Sequence, residues 1–225
     1  MASLVFHLSI LVALAGCAAL PAEQAAGTPG AGVAAHSLAS IRAHDVTVGA
    51  GVAVGERLVL TNAHVVRQGG RELTLRSADG QRGAAVQIAS IDPRQDLALL
   101  TMPPGFLQPA RIASRLPGRG DLVWAIGPEG LGRAVAMGLV ARPDATLPGF
   151  GRGFTARPGA LMGFFGGPVV NQAGELVGLT TALIGSGQTS LIAMLTGIDV
   201  AGLSSSANRE VFVLRMSSFG TPGAE

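Results

Sequence analysis

The stretch Gly163-Phe164-Phe165-Gly166-Gly167-Pro168-Val169-Val170 decides how this chain reads. Its glycines permit a sharp backbone turn with N–H groups facing one point. Pro168 and two valines then open an apolar strand. Downstream, Gln172-Ala173-Gly174 signals another turn, and 176–183 is a second apolar run, so the glycine turn feeds a hairpin. Upstream the same pattern repeats. Short apolar runs at 46–54, 57–61, 72–76, 84–91, 97–102, 122–126, 133–141 and 153–156 are expected strands, as are 168–171, 176–183 and 190–200. Turn signals such as Ala78-Asp79-Gly80 and Pro117-Gly118-Arg119-Gly120 separate them. No helix-length segments alternate with these runs, which argues against a parallel α/β sheet and for an all-β barrel or sandwich. Residues near 200–216 are read as a C-terminal helix, with some helical character over 207–214.

Composition agrees. The chain has 225 residues, 33 Gly and 13 Pro, with 48% hydrophobic and 13% charged residues. It contains no Lys, and its 16 Arg against 14 acids give a net charge of +2, without a cluster dense enough to form a nucleic-acid face. Met102-Pro103-Pro104 breaks the middle of the chain between two sets of strands. The expected organisation is a β domain over 41–216, with lobes over 41–105 and 118–200, a C-terminal segment 201–216 and a frayed tail 217–225.

The N-terminus reads differently. Residues 4–15 form an apolar stretch too short to span a bilayer, followed by small residues, as in an export signal. Leu14-Ala15-Gly16-Cys17 resembles a bacterial lipobox, which makes 1–16 a signal and Cys17, the chain's one cysteine, a lipidation site. Ala13-Leu14-Ala15 also fits ordinary cleavage after Ala15, and the first residues lack the Lys or Arg common in such signals. Residues 17–40, rich in Ala, Gly and Pro at their start, are read as a flexible tether.

Two more segments bear on chemistry. Thr61-Asn62-Ala63-His64-Val65-Val66 delivers a histidine at the end of a strand, and Asp96 leads directly into the apolar run 97–102. Alone, such a histidine is usually structural, and such an aspartate usually belongs to a turn. Taken together with Gly163–Val170, they resemble the trypsin-like serine peptidases, in particular the HtrA/Deg branch. Asp121-Leu122-Val123-Trp124-Ala125-Ile126-Gly127-Pro128 is similar to that family's first strand of the second lobe. The order and spacing, 32 residues from His64 to Asp96 and 69 more to Phe165, suit the family.

The resemblance implies an all-β trypsin-like fold, two antiparallel β-barrel lobes with the active-site cleft between them. It also implies His64 as general base, Asp96 as its orienting partner, and the N–H groups of Gly163 and residue 165 as the oxyanion hole. A strand edge at Thr180, Thr181 and Ala182 would bind extended peptide by β-augmentation. No cofactor or metal is implied, and His7, His36 and His44 show no ligand spacing with His64. With 25 residues beyond Val200, the sequence is not expected to hold the PDZ domain that many HtrA proteins carry.

The sequence departs from the family at the nucleophile. Where the motif has serine, it has Phe165, and Met162 replaces the proline usual before the turn. A phenyl ring cannot form the acyl-enzyme, and it should cover His64 or fill the mouth of the specificity pocket. Other hydroxyls near the motif are Ser186, Thr155 and Thr180. The expectation is therefore an exported, lipid-anchored periplasmic peptidase homologue, catalytically dead or severely impaired, that binds peptide or unfolded protein. The alternatives are an active serine endopeptidase and a non-catalytic regulatory or structural subunit.

Overall fold

Glycine and short side chains alternate with valine over Val46–Gly55, and Leu58-Val59-Leu60 is an apolar run that ends in Thr61-Asn62. The two pair as antiparallel strands β3 and β4 through the turn at Glu56-Arg57. The computed structural model describes residues 20–21, 27–70, 72–128, 134–158, 164–184 and 210–216. Before β3 lie β1 (Leu20–Pro21), α1 (Ala31–His36) and β2 (Leu38–Ala43). After β4 come α2 (Ala63–Gly69), β5 (Leu73–Ser77), β6 (Gly83–Ala85), β7 (Gln87–Asp92) and β8 (Leu97–Thr101). The second half holds β9 (Leu122–Gly127), β10 (Ala134–Leu147), β11 (Gly151–Ala156), β12 (Pro168–Val170), β13 (Leu176–Ile184) and β14 (Glu210–Arg215).

The first lobe is a seven-stranded antiparallel sheet in the order β6-β5-β2-β3-β4-β8-β7. Its end strands, β6 and β7, are consecutive in the chain. The run 84–91, expected as one strand, breaks at Val86, where the chain stops pairing with β5 and begins pairing with β8. Among the described residues no pairing joins β6 to β7, so this sheet is a half-barrel that turns at that corner. In the second lobe, β10-β11-β14-β13-β12-β9 closes on itself because β9 also pairs with β10, and β1 adds to β10. The fold is all-β, with two antiparallel barrel lobes.

Three apolar clusters follow from strand alternation. One fills the first lobe with Ile41, Val59, Leu75 and Leu100. One fills the second barrel with Val123, Phe154, Val169 and Val213. The third joins the lobes, with Val52 and Leu60 meeting Trp124, Ile126, Phe212 and Leu214. Successive residues of β14 thus serve two cores, and Val211 to Leu214 are all buried. This corrects the helix expected over 207–214: residues 210–215 form a strand between β11 and β13. An interior strand buried on both faces reads as an unbroken apolar run, which looks like a helix segment in sequence.

Residues 31–40, expected as the end of a tether, form α1 and the first half of β2, with Val33 and Ala34 buried in the interlobe core. The segment between β8 and β9 contains no strand. It is fastened by hydrogen bonds from Ala110 N–H to Ala53 O and from Ala113 N–H to Leu176 O. The expected strand at 190–200, the signal 1–16, Cys17 and the tail 217–225 lie outside the described residues.

Candidate active site

β4 ends at Asn62, and the chain turns at once into α2, so His64 stands in the first turn of a short helix. The N-terminal N–H groups of such a helix have no partner within it. Two are taken by one residue of another segment: Ala63 N–H donates to Asp96 O (3.0 Å) and His64 N–H to Asp96 Oδ1 (2.8 Å). The other carboxylate oxygen, Oδ2, lies 2.6 Å from His64 Nδ1. One aspartate therefore fixes the backbone and the ring of His64 together. With a carboxylate on Nδ1, the neutral ring carries its proton there and turns the Nε2 lone pair outward.

Asp96 is 1% exposed and sits at φ 51°, in the left-handed region that residues other than glycine seldom adopt. Its side chain and carbonyl are both satisfied in that conformation. Asn62 Nδ2 donates to Asp96 O (3.1 Å) and also to Thr181 Oγ1 across the lobe boundary (3.0 Å). Thr181 Oγ1 in turn donates to Leu179 O. Arg67 approaches Asp96 Oδ1 at 3.9 Å from a mostly exposed position.

The glycine turn spans 164–167 and is held from both lobes. Gly166 N–H donates to Thr180 O, Thr180 N–H donates to Gly167 O, and Ala50 N–H donates to Phe165 O. Gly166 has φ 79°, and a Cβ there would strike Ala50 O and Thr61 Oγ1, so glycine is required twice over. The two phenylalanines part at this turn. Phe164, fully buried, enters the second-barrel core against Gly127, which has no side chain to obstruct it. Phe165, 7% exposed, joins the first-lobe core. Its ring meets the His64 imidazole edge-on, with centroids 5.4 Å apart and planes at 82°. Of the two placements expected for this ring, it takes the one over His64. Among the described residues, His64 Nε2 is buried with no hydrogen-bond partner.

No alternative hydroxyl reaches that nitrogen among the described residues. Thr155 is turned to the outer face of the second barrel, where Arg142 Nε donates to its Oγ1. Thr180 Oγ1 is itself buried without a partner. Ser186 lies outside the described residues, as does Gly163, one of the two expected oxyanion donors. The other expected donor, the Phe165 N–H, is on the turn.

Thr180, Thr181 and Ala182, expected as a peptide-binding edge, lie on β13 and are all buried. β14 pairs with one side of this segment, with a bulge at Thr181. On the other side the glycine turn occupies Thr180. Beyond Thr180 no strand partner is present on that side among the described residues. Asn62 is the functional residue that sequence reasoning left without a role. Its position beside His64 was visible, but its cross-lobe partner was not.

The sequence over residues 49–179 matches the family model of the trypsin-like peptidase domain. No curated protein sequence matches the chain. Among solved structures, the apo MamO protease domain from Magnetospirillum magneticum is similar with a TM-score of 0.65 at 24% identity, covering 83% of this chain and 95% of that one. The Rv3671c protease of M. tuberculosis in its active form is similar with a TM-score of 0.65 at 21% identity, covering 85% and 81%. Both are likenesses of fold. The HtrA-type protease AlgW with tripeptide is similar with a TM-score of 0.66 at 25% identity, covering 84% of this chain and 60% of AlgW.

Proposed function

The chain belongs to the trypsin-like peptidase family, and on that premise we propose that it is a member without peptidase activity that binds extended peptide or unfolded protein. One observation carries this reading. The ring of Phe165 stands edge-on to the His64 imidazole, at the motif position where a nucleophilic oxygen would receive general-base help, and His64 Nε2 has no partner among the described residues. Loss of the nucleophile from a working triad costs on the order of 10⁶ in turnover.

Peptide would add to β13 from Ala182 onward, past the last hydrogen bond to the glycine turn. AlgW, a similar fold, has been solved with a tripeptide, and main-chain pairing along a strand needs no nucleophile. The lipobox-like Leu14-Ala15-Gly16-Cys17 supports export to the cell envelope and anchoring through a lipid on Cys17.

A fluorophosphonate probe tests the catalytic half. The purified chain should remain unlabelled, and Phe165→Ser should become labelled, because His64, Asp96 and the turn are in place. Labelling of the unaltered chain at any serine overturns the reading. For the binding half, unfolded casein should slow amide exchange over residues 181–184; unchanged exchange there rules out strand addition at this edge.

A further inference from the structure

The outer wall of the second barrel is apolar where β9 and β10 pair. The cross-strand pairs Ile126/Val135, Trp124/Met137 and Leu122/Leu139 stand on this wall, because Val123, Ala125, Ala136 and Val140 between them fill the interior. Ile126, Trp124 and Val135 are covered by the interlobe core and α1. Further along β10 the cover ends: Met137 is 59% and Leu139 is 53% exposed.

Two arginines continue the same outward face. Arg142 donates through Nε to the outward-facing Thr155 and pairs with Glu210. Arg157, whose N–H donates to Leu139 O, also pairs with Glu210. Both guanidinium side chains remain more than half exposed. Asp121 and Arg119, both exposed, lie at the edge of the patch where Asp121 O and Gly120 N–H bond Val140. Among the described residues, the charged groups named here are three arginines and two carboxylates, a small basic excess beside two bare apolar side chains.

The start of the chain leads to this face. β1 pairs Leu20 with Val135 and Pro21 with Ala134. Cys17 precedes Leu20 by three residues, which reach at most about 10 Å when extended. From Val135 to Met137 along a strand is about 7 Å. Met137 is thus within reach of a lipid carried on Cys17.

We infer that this β10 face is the surface by which the domain lies on a phospholipid bilayer. Met137 and Leu139 enter the headgroup–acyl boundary, and Arg142 and Arg157 meet lipid phosphates. The inference rests on the lipid-anchor reading of Cys17. It adds to that reading an orientation: the second barrel sits against the membrane, and the edge strand β7 of the first lobe is held away from it.

The test can be separated from lipidation in cells. The mature chain beginning at Cys17 is coupled through its one thiol to a maleimide lipid in phosphatidylglycerol–phosphatidylcholine vesicles containing brominated phospholipid. A tryptophan is introduced at an exposed position, as Leu139→Trp or, on β7, Ile88→Trp, and the unaltered chain supplies the Trp124 background. Added fluorescence at 139 should be quenched by about half or more, and that at 88 hardly at all. Equal quenching at the two positions, or none at 139, overturns the inference and would fit a face reserved for a protein partner. Palmitate incorporation by the full chain in cells, compared with Cys17→Ser, tests the anchor reading by itself.

Discussion

The Phe165 ring and the His64 imidazole meet edge-on, 5.4 Å between centroids, while Asp96 Oδ2 holds Nδ1 of the same imidazole at 2.6 Å. The base is thus oriented as for proton transfer and covered by a group that has no proton to give.

That ring contributes to stability. It is buried in the first-lobe core although it comes from a second-lobe turn. Truncating it, Phe165→Ala, should cost about 3–5 kcal/mol from lost burial and the cavity left behind. Part of this returns if water enters and bonds to Nε2, whose missing partner costs about 1–3 kcal/mol. Denaturant unfolding of the two proteins measures the difference. A cost below 1 kcal/mol would show that the ring does not pack there in solution.

Asp96 can be examined in the Phe165→Ser background. Asp96→Asn replaces an oxygen that accepts from His64 with an amide that donates. The ring should then adopt the other tautomer, and turnover should fall by about 10⁴ relative to Phe165→Ser alone. The signature is loss of the low-field Nδ1 proton resonance from the NMR spectrum. A retained resonance would place the proton elsewhere.

Asn62 and Thr181 should be coupled energetically, because one hydrogen bond between them crosses the lobes. In a double-mutant cycle with Asn62→Ala and Thr181→Val, the interaction energy should be about 1 kcal/mol. Strict additivity would show that the bond contributes nothing to lobe docking. Asn62→Ala should also loosen the left-handed backbone at Asp96, so probe labelling of the Phe165→Ser protein should slow when this change is added.

Glu210 supplies a pH dependence. The Thr155 hydroxyl, then Arg142 and Arg157, hold its carboxyl below the ordinary glutamate value, against an opposing effect of burial. A depressed folded pKa means a stabilisation that is complete above the ordinary value near 4.5 and lost as pH falls through the folded one. The unaltered chain should exceed Glu210→Gln in stability at pH 7, and the gap should close on acidification below that value. Since Glu210 begins β14 opposite Ile184, the destabilisation should be greatest in the exchange of β13 and β14 amides.

Gly166→Ala should prevent the turn from forming as it stands. The new methyl would meet Ala50 O and Thr61 Oγ1 at a positive φ, so both space and backbone oppose it. Thermal unfolding should show a loss larger than the few tenths of a kcal/mol typical of an exposed turn.

The chain's own pattern determined much of this protein. Alternating and unbroken apolar runs located β3, β4, β5, β8, β9 and β13 nearly to the residue, because strand pairing buries one or both faces and glycine turns separate the runs. The motifs at His64, Asp96 and 163–170 were legible because each is local: a few adjacent residues suffice to shape a strand end or a turn. Phe165 was legible too, as a ring where a hydroxyl belongs. Four features depended on partners far away in sequence. Residues 210–215 became a strand because β11 and β13 flank them on both sides. Residues 31–40 were drawn into the fold by the interlobe core. Asn62 acquired a role from Thr181, 119 residues later. The Phe165 ring turned to His64 because Phe164 had filled the second-barrel core at Gly127, leaving the first lobe's core to receive it. Adjacent side chains on a sharp turn point to opposite sides, and the packing of two separate cores decided which of them covers the base.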